Sequence, residues 1–324
     1  PNFRLTTPVN YRTFDIEDSS LNQSQNLNRF TFEPDFFIRN KLSAFWETSV
    51  SANYSNDFGD ANRMYFGFIL NNYRSLQRYN SPLPEDFSQN YSWSLNYRNP
   101  LTSFFASTSY SFSTTKRNLL CSSLIGENGA TVLVAIEQEN HSNSHNWNAK
   151  ASKYFSKLNT TLSLGTTFSL FQREQILNQR LAEVKNENLS FNFELESEVT
   201  DWLSTSYSGN LSLLQTSIEE RDINEIETQQ HSLDLFFYVA ENQYFSLDSE
   251  YYFNNISDEN RNNYFLNLNY QYTFAETGID LEASWNNVLN TDEFVRVSTN
   301  EFTYVQSTYQ LRPSQVLVSM KFSF

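Results

Sequence analysis

The sequence predicts an all-β fold, an antiparallel transmembrane β-barrel with about 14 strands present in this chain. Three observations lead there. Apolar residues recur at every second position in run after run, the period of a strand with one greasy face. The runs reach roughly ten residues or more, whereas soluble strands average about five or six and a tilted membrane-spanning strand needs about 9–11. Short turns also alternate with long polar links, as in a barrel whose connections are tight on one side of the bilayer and extended on the other.

Taken in order, the first strand is expected near Phe3–Ile16. Trp46, Thr48, Val50, Ala52 and Tyr54 then share one face, with Glu47, Ser49, Ser51 and Asn53 on the other. Tyr91, Trp93, Leu95 and Tyr97 repeat the pattern, followed by Phe104, Ala106, Thr108, Tyr110 and Phe112. Leu162 to Leu170, Leu189 to Leu195 and Leu203 to Leu213 continue it at even spacing. Phe245 to Phe253 and Tyr264 to Tyr272 lead to a last strand near Leu311–Phe324. Helical periodicity is nearly absent; Gln175–Lys185 is the one segment that could read as a helix or as a loop. A long soluble sandwich or solenoid would need more glycine-punctuated turns than seven glycines supply.

Tight turns are expected near Arg39–Lys41, Arg98–Pro100, Ser156–Leu158, Thr200–Asp201, Glu241–Asn242 and Ala275–Gly278. Between them fall longer links: Glu17–Asn26, Phe58–Asp86, Asn118–Gly129, Arg173–Asn186, Ser217–Gln229, Ser257–Arg261 and Asn290–Asn300. The short side is expected to be periplasmic and the long side extracellular. Aromatics cluster beside the short turns, and Phe37, Trp46, Phe104, Phe155, Trp202 and Phe245 are expected to form a periplasmic aromatic girdle.

Composition fits the same picture. Aromatics make up 16% of the 324 residues, yet the mean hydropathy is −0.56, as expected of a chain that is apolar only on alternate positions. No run approaches the roughly 18 apolar residues of a membrane helix. A net charge of −15 and a pI near 4.6 argue against nucleic acid, whose phosphates need a basic surface. The single cysteine, Cys121, excludes an internal disulfide and a multi-cysteine metal site.

Several stretches carry a family resemblance: FEPDFFIRNKLSAFWETSVSANYSNDFGD (Phe32–Asp60), MYFGFILNNYRSLQR (Met64–Arg78), LNYRNPLTSFFASTSYSFS (Leu95–Ser113), WNNVLN (Trp285–Asn290) and TYQLRPSQVLVSMKFSF (Thr308–Phe324). Together they resemble the C-terminal barrel portion of the TonB-dependent outer-membrane receptors of Bacteroidota, in the carboxypeptidase-regulatory-like and SusC-like groups. The resemblance implies residues 1–324 as barrel wall and loops for energised uptake of a nutrient ligand, within a 22-stranded barrel. It implies a plug domain, not recognisable in this chain, through which the TonB system acts, and a SusD-like surface lipoprotein as partner. The opening PNFRLTTPVNYRTF lacks the basic start and apolar core of a signal peptide and reads as a strand already inside a barrel. A portion of a longer receptor is therefore preferred over a shortened barrel that closes on itself, since 14 strands without a plug would leave an open pore. A structural or assembly subunit of a larger outer-membrane complex, and a standalone diffusion channel, are the other readings.

The resemblance also gives the chain's ending a role: Val316, Val318, Met320, Phe322 and Phe324 alternate as a final strand closing on an aromatic, the form the outer-membrane insertion machinery recognises. These are expected to face lipid, with Gln315, Leu317, Ser319, Lys321 and Ser323 facing the lumen. No enzyme site and no cofactor are expected. His141 and His145, in HSNSH, would stand about 13 Å apart in an extended strand, too far to share a metal ion. His231 stands alone and is expected to be structural. Glu194, Glu196, Asp248 and Glu250 are expected on the luminal face, and the acidic run Ser217–Glu227 in a solvated loop. In the Phe58–Asp86 loop, Tyr65, Phe66, Phe68, Tyr73, Arg74 and Arg78 are candidates for touching a ligand or partner.

Overall fold

The computed structural model describes residues 1–18, 23–59, 68–73, 75–78, 82–125, 131–177, 180–256, 262–299 and 304–322. Strand β1 (Asn2–Thr6) is followed by the hairpin β2 (Val9–Asp18) and β3 (Gln23–Phe32), then by β4 (Asp35–Lys41) and β5 (Trp46–Asp57). A short hairpin, β6 (Ile69–Asn72) and β7 (Ser75–Arg78), precedes β8 (Asp86–Asn99), β9 (Phe104–Ile125), β10 (Thr131–Phe155) and β11 (Thr160–Leu177). Next come β12 (Arg180–Thr200), β13 (Leu203–Ile218), β14 (Arg221–Ala240), β15 (Gln243–Asn254), β16 (Asn262–Phe274) and β17 (Ile279–Asn286). The hairpin β18 (Glu293–Thr299) and β19 (Tyr304–Gln310) leads into β20 (Gln315–Phe322). Fourteen of these run side by side in the order β1-β4-β5-β8-β9-β10-β11-β12-β13-β14-β15-β16-β17-β20, every step antiparallel. This is the wall of a transmembrane β-barrel, with the strand number expected from the pattern.

Register turns the alternation of single strands into two continuous faces, because directly opposed residues point the same way. Val50 lies opposite Trp93, Trp93 opposite Tyr110, Tyr110 opposite Trp147, Trp147 opposite Phe168 and Phe168 opposite Leu189. One residue over, Ser49, Ser94, Ser109, Asn148, Thr167, Ser190 and Ser212 follow one another across the same strands. That polar face is laced by side-chain bonds, among them Ser49–Ser94 at 2.7 Å, Thr167 to Asn148 at 2.7 Å and Asn210 to Asn192 at 2.8 Å.

Among the described residues nothing covers the apolar face. Trp93, Tyr110 and Trp147 remain 39–40% exposed, and Leu164 50%. The buried hydrophobics Phe58, Leu83, Leu120, Ala135, Ala182, Val184, Ile226 and Val295 all lie toward the long-loop end rather than beneath the sheet. A contiguous apolar face this wide is unstable in water and requires hydrocarbon against it. Its height agrees: β10 turns Phe155, Lys153, Ala151, Ala149, Trp147 and His145 to that face. About ten steps at roughly 3.3 Å, tilted near 45°, rise about 23 Å, close to the roughly 25 Å apolar band of such barrels.

At the short-turn end the chain reverses at 42–45, 100–103, 156–159, 201–202, 241–242 and 275–278, within a few residues of expectation. The opposite end differs more. The described residues of the links expected at Asn118–Gly129, Arg173–Asn186 and Ser217–Gln229 are largely strand, and those of Gln175–Lys185, 175–177 and 180–185, are strand throughout. Gln172 pairs with Lys185 and Glu174 with Glu183, in a ladder that runs on above the apolar band. There both faces meet water, so the hydrophobic alternation that reveals a strand disappears while the backbone pairing persists. Lys116 reaches Glu139 at 2.7 Å in this region and holds its carboxyl below the usual range. The Ser257–Arg261 link lies outside the described residues.

The expected first strand, Phe3–Ile16, is broken in two. Pro8 follows β1 and Pro34 precedes β4; the register on either side sets Pro8 opposite Glu33 and Pro34 opposite Thr7, so two residues without an amide N–H fall at adjacent levels of the hairpin. The main-chain bond from Glu33 to Pro8, 3.0 Å, bridges the gap, and Tyr54 donates to Pro34 at 3.0 Å. Beyond the prolines β2 and β3 pair only with each other. They lean on the Phe58 region through Phe14 (ring centroids 5.0 Å apart) and Arg12 (5.3 Å above the Phe58 ring), and Arg29 meets Glu85 at 2.6 Å.

Candidate functional site

In the last strand, Val316, Val318, Met320 and Phe322 lie opposite Trp285, Ala283, Leu281 and Ile279, so they extend the apolar face. Asp280, Glu282 and Ser284 oppose Lys321, Ser319 and Leu317 on the polar face, with Lys321 3.3 Å from Glu282. Leu317 is the apolar exception there. Phe324 lies outside the described residues. Within the sheet, β20 has one neighbour, β17, and β1 has one neighbour, β4.

Trp46, Phe104, Phe155 and Phe245 stand on the apolar face near the short turns, and Trp202, in the 201–202 turn, stacks on Phe237 at 6.3 Å. Phe37 does not share that face. It lies opposite Ser51 on the polar side, with the Arg4 and Arg39 guanidinium groups 5.7 and 5.8 Å from its ring, and Phe36 takes the apolar position. Tyr97 joins the aromatic row by contacting Trp46 at 4.8 Å and Phe104 at 5.6 Å. It lay within a recognised strand, but its height beside the turns is set by cross-strand register.

Of the loop candidates, Tyr65, Phe66 and Arg74 lie outside the described residues. Phe68 and Tyr73 are 56% and 86% exposed. Arg78 ends β7, which is docked in parallel register on β10, Ser75–Arg78 against Thr131–Val134. The loop is thus anchored beside the upper end of the wall.

The luminal carboxylates share the polar face. Glu194 and Glu196 sit on β12, and Asp248 and Glu250 on β15; Asp234, not singled out from sequence, lies directly opposite Asp248. Lys150 approaches Glu194 at 3.9 Å. Among the described residues no three His, Cys, Asp or Glu side chains gather to hold a metal ion. His145 and His231 are on the apolar face, each bonded through Nδ1 to a tyrosine hydroxyl at 2.7 Å, Tyr110 and Tyr207 respectively.

The WNNVLN segment has a structural task. Asn287 and Asn290 adopt left-handed backbone conformations (φ 52° and 53°). Asn287 donates to the carbonyls of Thr291 and Arg312 at 2.9 Å each and accepts from the Thr291 amide at 2.8 Å. Asn290 accepts from the Ser314 amide at 2.9 Å. Two side-chain amides thereby clamp the base of the β18–β19 hairpin to the entry of β20.

Together, the sheet and its faces define a class: the wall of a transmembrane β-barrel, with one apolar and one polar face. Among solved structures this chain is similar in fold to the ferric enterobactin receptor of Pseudomonas aeruginosa, at 10% identity and a TM-score of 0.51, over 99% of this chain and 50% of that one. The siderophore receptor PirA from Acinetobacter baumannii aligns over 99% of this chain and 50% of its own, at 12% identity and a TM-score of 0.47. The chain thus spans about half the length of these receptors. No family model matches the sequence, and no curated protein matches it.

Proposed function

We propose that this chain is the C-terminal barrel portion of a TonB-dependent outer-membrane receptor, supplying wall and extracellular loops for energised uptake of a nutrient ligand. The observation that carries the reading is the two-faced sheet of fourteen strands with an unpaired edge at each end, β1 and β20. In hydrocarbon an open edge leaves a row of N–H and C=O groups without partners. The two edges therefore call for further strands, in keeping with a fold relative of twice the aligned length. On this reading residues 1–324 are barrel throughout. The TonB system acts on a plug domain outside this chain, short turns and C-terminus face the periplasm, and the hairpins of β6–β7 and β18–β19 face outward. Membership of the Bacteroidota SusC-like group and a SusD-like lipoprotein as partner complete the proposal, resting on the sequence resemblance.

Uptake in the source cell tests it. Deleting the gene should abolish growth on one nutrient, and disabling the TonB system should abolish the same growth. Uptake that persists without TonB, or steady conductance by the purified chain in planar bilayers, would overturn the reading in favour of a closed diffusion channel.

A further inference from the structure

The β18–β19 hairpin folds over the polar face. Phe294, near its base, packs edge-on against Tyr252 (ring centroids 5.4 Å apart) and Phe265 (5.7 Å), both of which point to that face. Between hairpin and wall lies a cavity of about 540 Å³. Its lining combines those three rings with Glu250, directly opposite Phe265 in register, and with Arg312. Neither Glu250 nor the Arg312 guanidinium forms an ion pair or side-chain hydrogen bond among the described residues, although both are charged. The cavity is of the size that encloses small ligands, typically about 300–1,000 Å³. Its walls are held in place from both sides, by the strand ladder beneath and by the Asn287 and Asn290 clamp at the hairpin base, which lowers the ordering cost of binding.

The charges narrow the ligand. The polar face of the neighbouring strands carries Asp234, Asp248, Asp280 and Glu282, with Lys321 against Glu282, so carboxylates prevail there, an anion is repelled and a cation concentrated. A carboxylate among ring faces suits an organic cation, held by charge and by the π-systems together. Arg312 adds a planar donor fork suited to a carboxylate or phosphate. We propose that this cavity binds a small zwitterionic organic ligand with an aromatic or aliphatic body. Its cationic nitrogen meets Glu250, its anionic group meets Arg312, and its body packs among Tyr252, Phe265 and Phe294. The inference rests on the luminal assignment of the polar face proposed above.

The test measures binding by calorimetry on the full chain in detergent micelles, so it reads the site independently of transport. Phenylalanine is the zwitterionic probe; phenethylamine and phenylpropionate are its cation-only and anion-only counterparts. Phenylalanine should bind tightest and phenylpropionate weakest. Glu250→Gln should weaken phenylalanine and phenethylamine about tenfold or more, the usual effect of losing a charged hydrogen bond, without weakening phenylpropionate. Arg312→Gln should weaken phenylalanine but not phenethylamine, and Phe294→Ala should weaken all three. Glu194→Gln, a luminal carboxylate outside the cavity, should leave binding unchanged. Equal binding of the three probes, or equal effects of Glu250→Gln and Glu194→Gln, would overturn the proposal; loss of TonB-dependent uptake with these binding patterns intact would sink the receptor reading instead.

Discussion

A Cβ built onto Gly209 would lie 3.1 Å from the Tyr207 hydroxyl and 3.2 Å from His231 Nδ1. The glycine leaves room for Tyr207 to lean across it and bond His231, which in turn stacks on Tyr251 at 5.8 Å. A polar imidazole on a lipid-facing surface needs such a partner, since an unsatisfied ring nitrogen in hydrocarbon is costly. Gly209→Ala should therefore destabilise the folded protein by about 1–3 kcal/mol through overpacking. Tyr207→Phe should cost roughly as much by orphaning the nitrogen. Urea titration of the protein in lipid vesicles checks both; unchanged midpoints would show that the bond contributes nothing. His231 was visible in the sequence as a lone histidine. Its partner was not, because Tyr207 is 24 residues away and only the β13–β14 register, which sets Gly209 opposite His231, brings the two together.

Elements show a similar division. Strands β5, β8 and β9 could be read because lipid on one side and water on the other impose a period of two. Above the band that contrast vanishes, and the ends of β11, β12, β13 and β14 read as loops. One consequence is local strain: the tight turn between β13 and β14 places Glu219 and Glu220 at φ 50° and 63°, a conformation that favours Asn and Gly. Replacing Glu219→Asn together with Glu220→Gly should raise stability by about 1 kcal/mol. The change should appear as a higher urea midpoint with an unaltered transition slope; a lower midpoint would mean that the carboxylates hold the hairpin in some other way. The prolines act in the opposite sense. Pro8 and Pro34 were plain in the sequence, yet their arrival at adjacent levels of one hairpin, where β2–β3 parts from the sheet, depends on the fold.

For the whole molecule, the two faces make unequal demands on charge. Val50 and Ser51 are sequence neighbours on opposite faces of the same strand. Arginine on the lipid side near mid-bilayer costs about 2–4 kcal/mol, whereas a luminal position tolerates it. Val50→Arg should accordingly lower folding stability in vesicles by that amount, and Ser51→Arg by less than about 1 kcal/mol. Equal penalties would mean that the apolar face is not the lipid-facing one.

The sequence by itself determined the all-β class, the roughly fourteen strands of the wall, where the short turns fall and, for most wall strands, which residues share a face. These are local properties, written in a period of two and in turn residues, and they survive whatever the strands pair with. Only the tertiary structure decided that Phe37 turns to the polar side at the height of Arg4, that β2–β3 leaves the sheet, that Phe294 closes a cavity over Tyr252 and Phe265, and that β1 and β20 keep unpaired edges. Each of these depends on register between segments tens to hundreds of residues apart. A hydrogen-bonded ladder sets that register, and no local pattern records it.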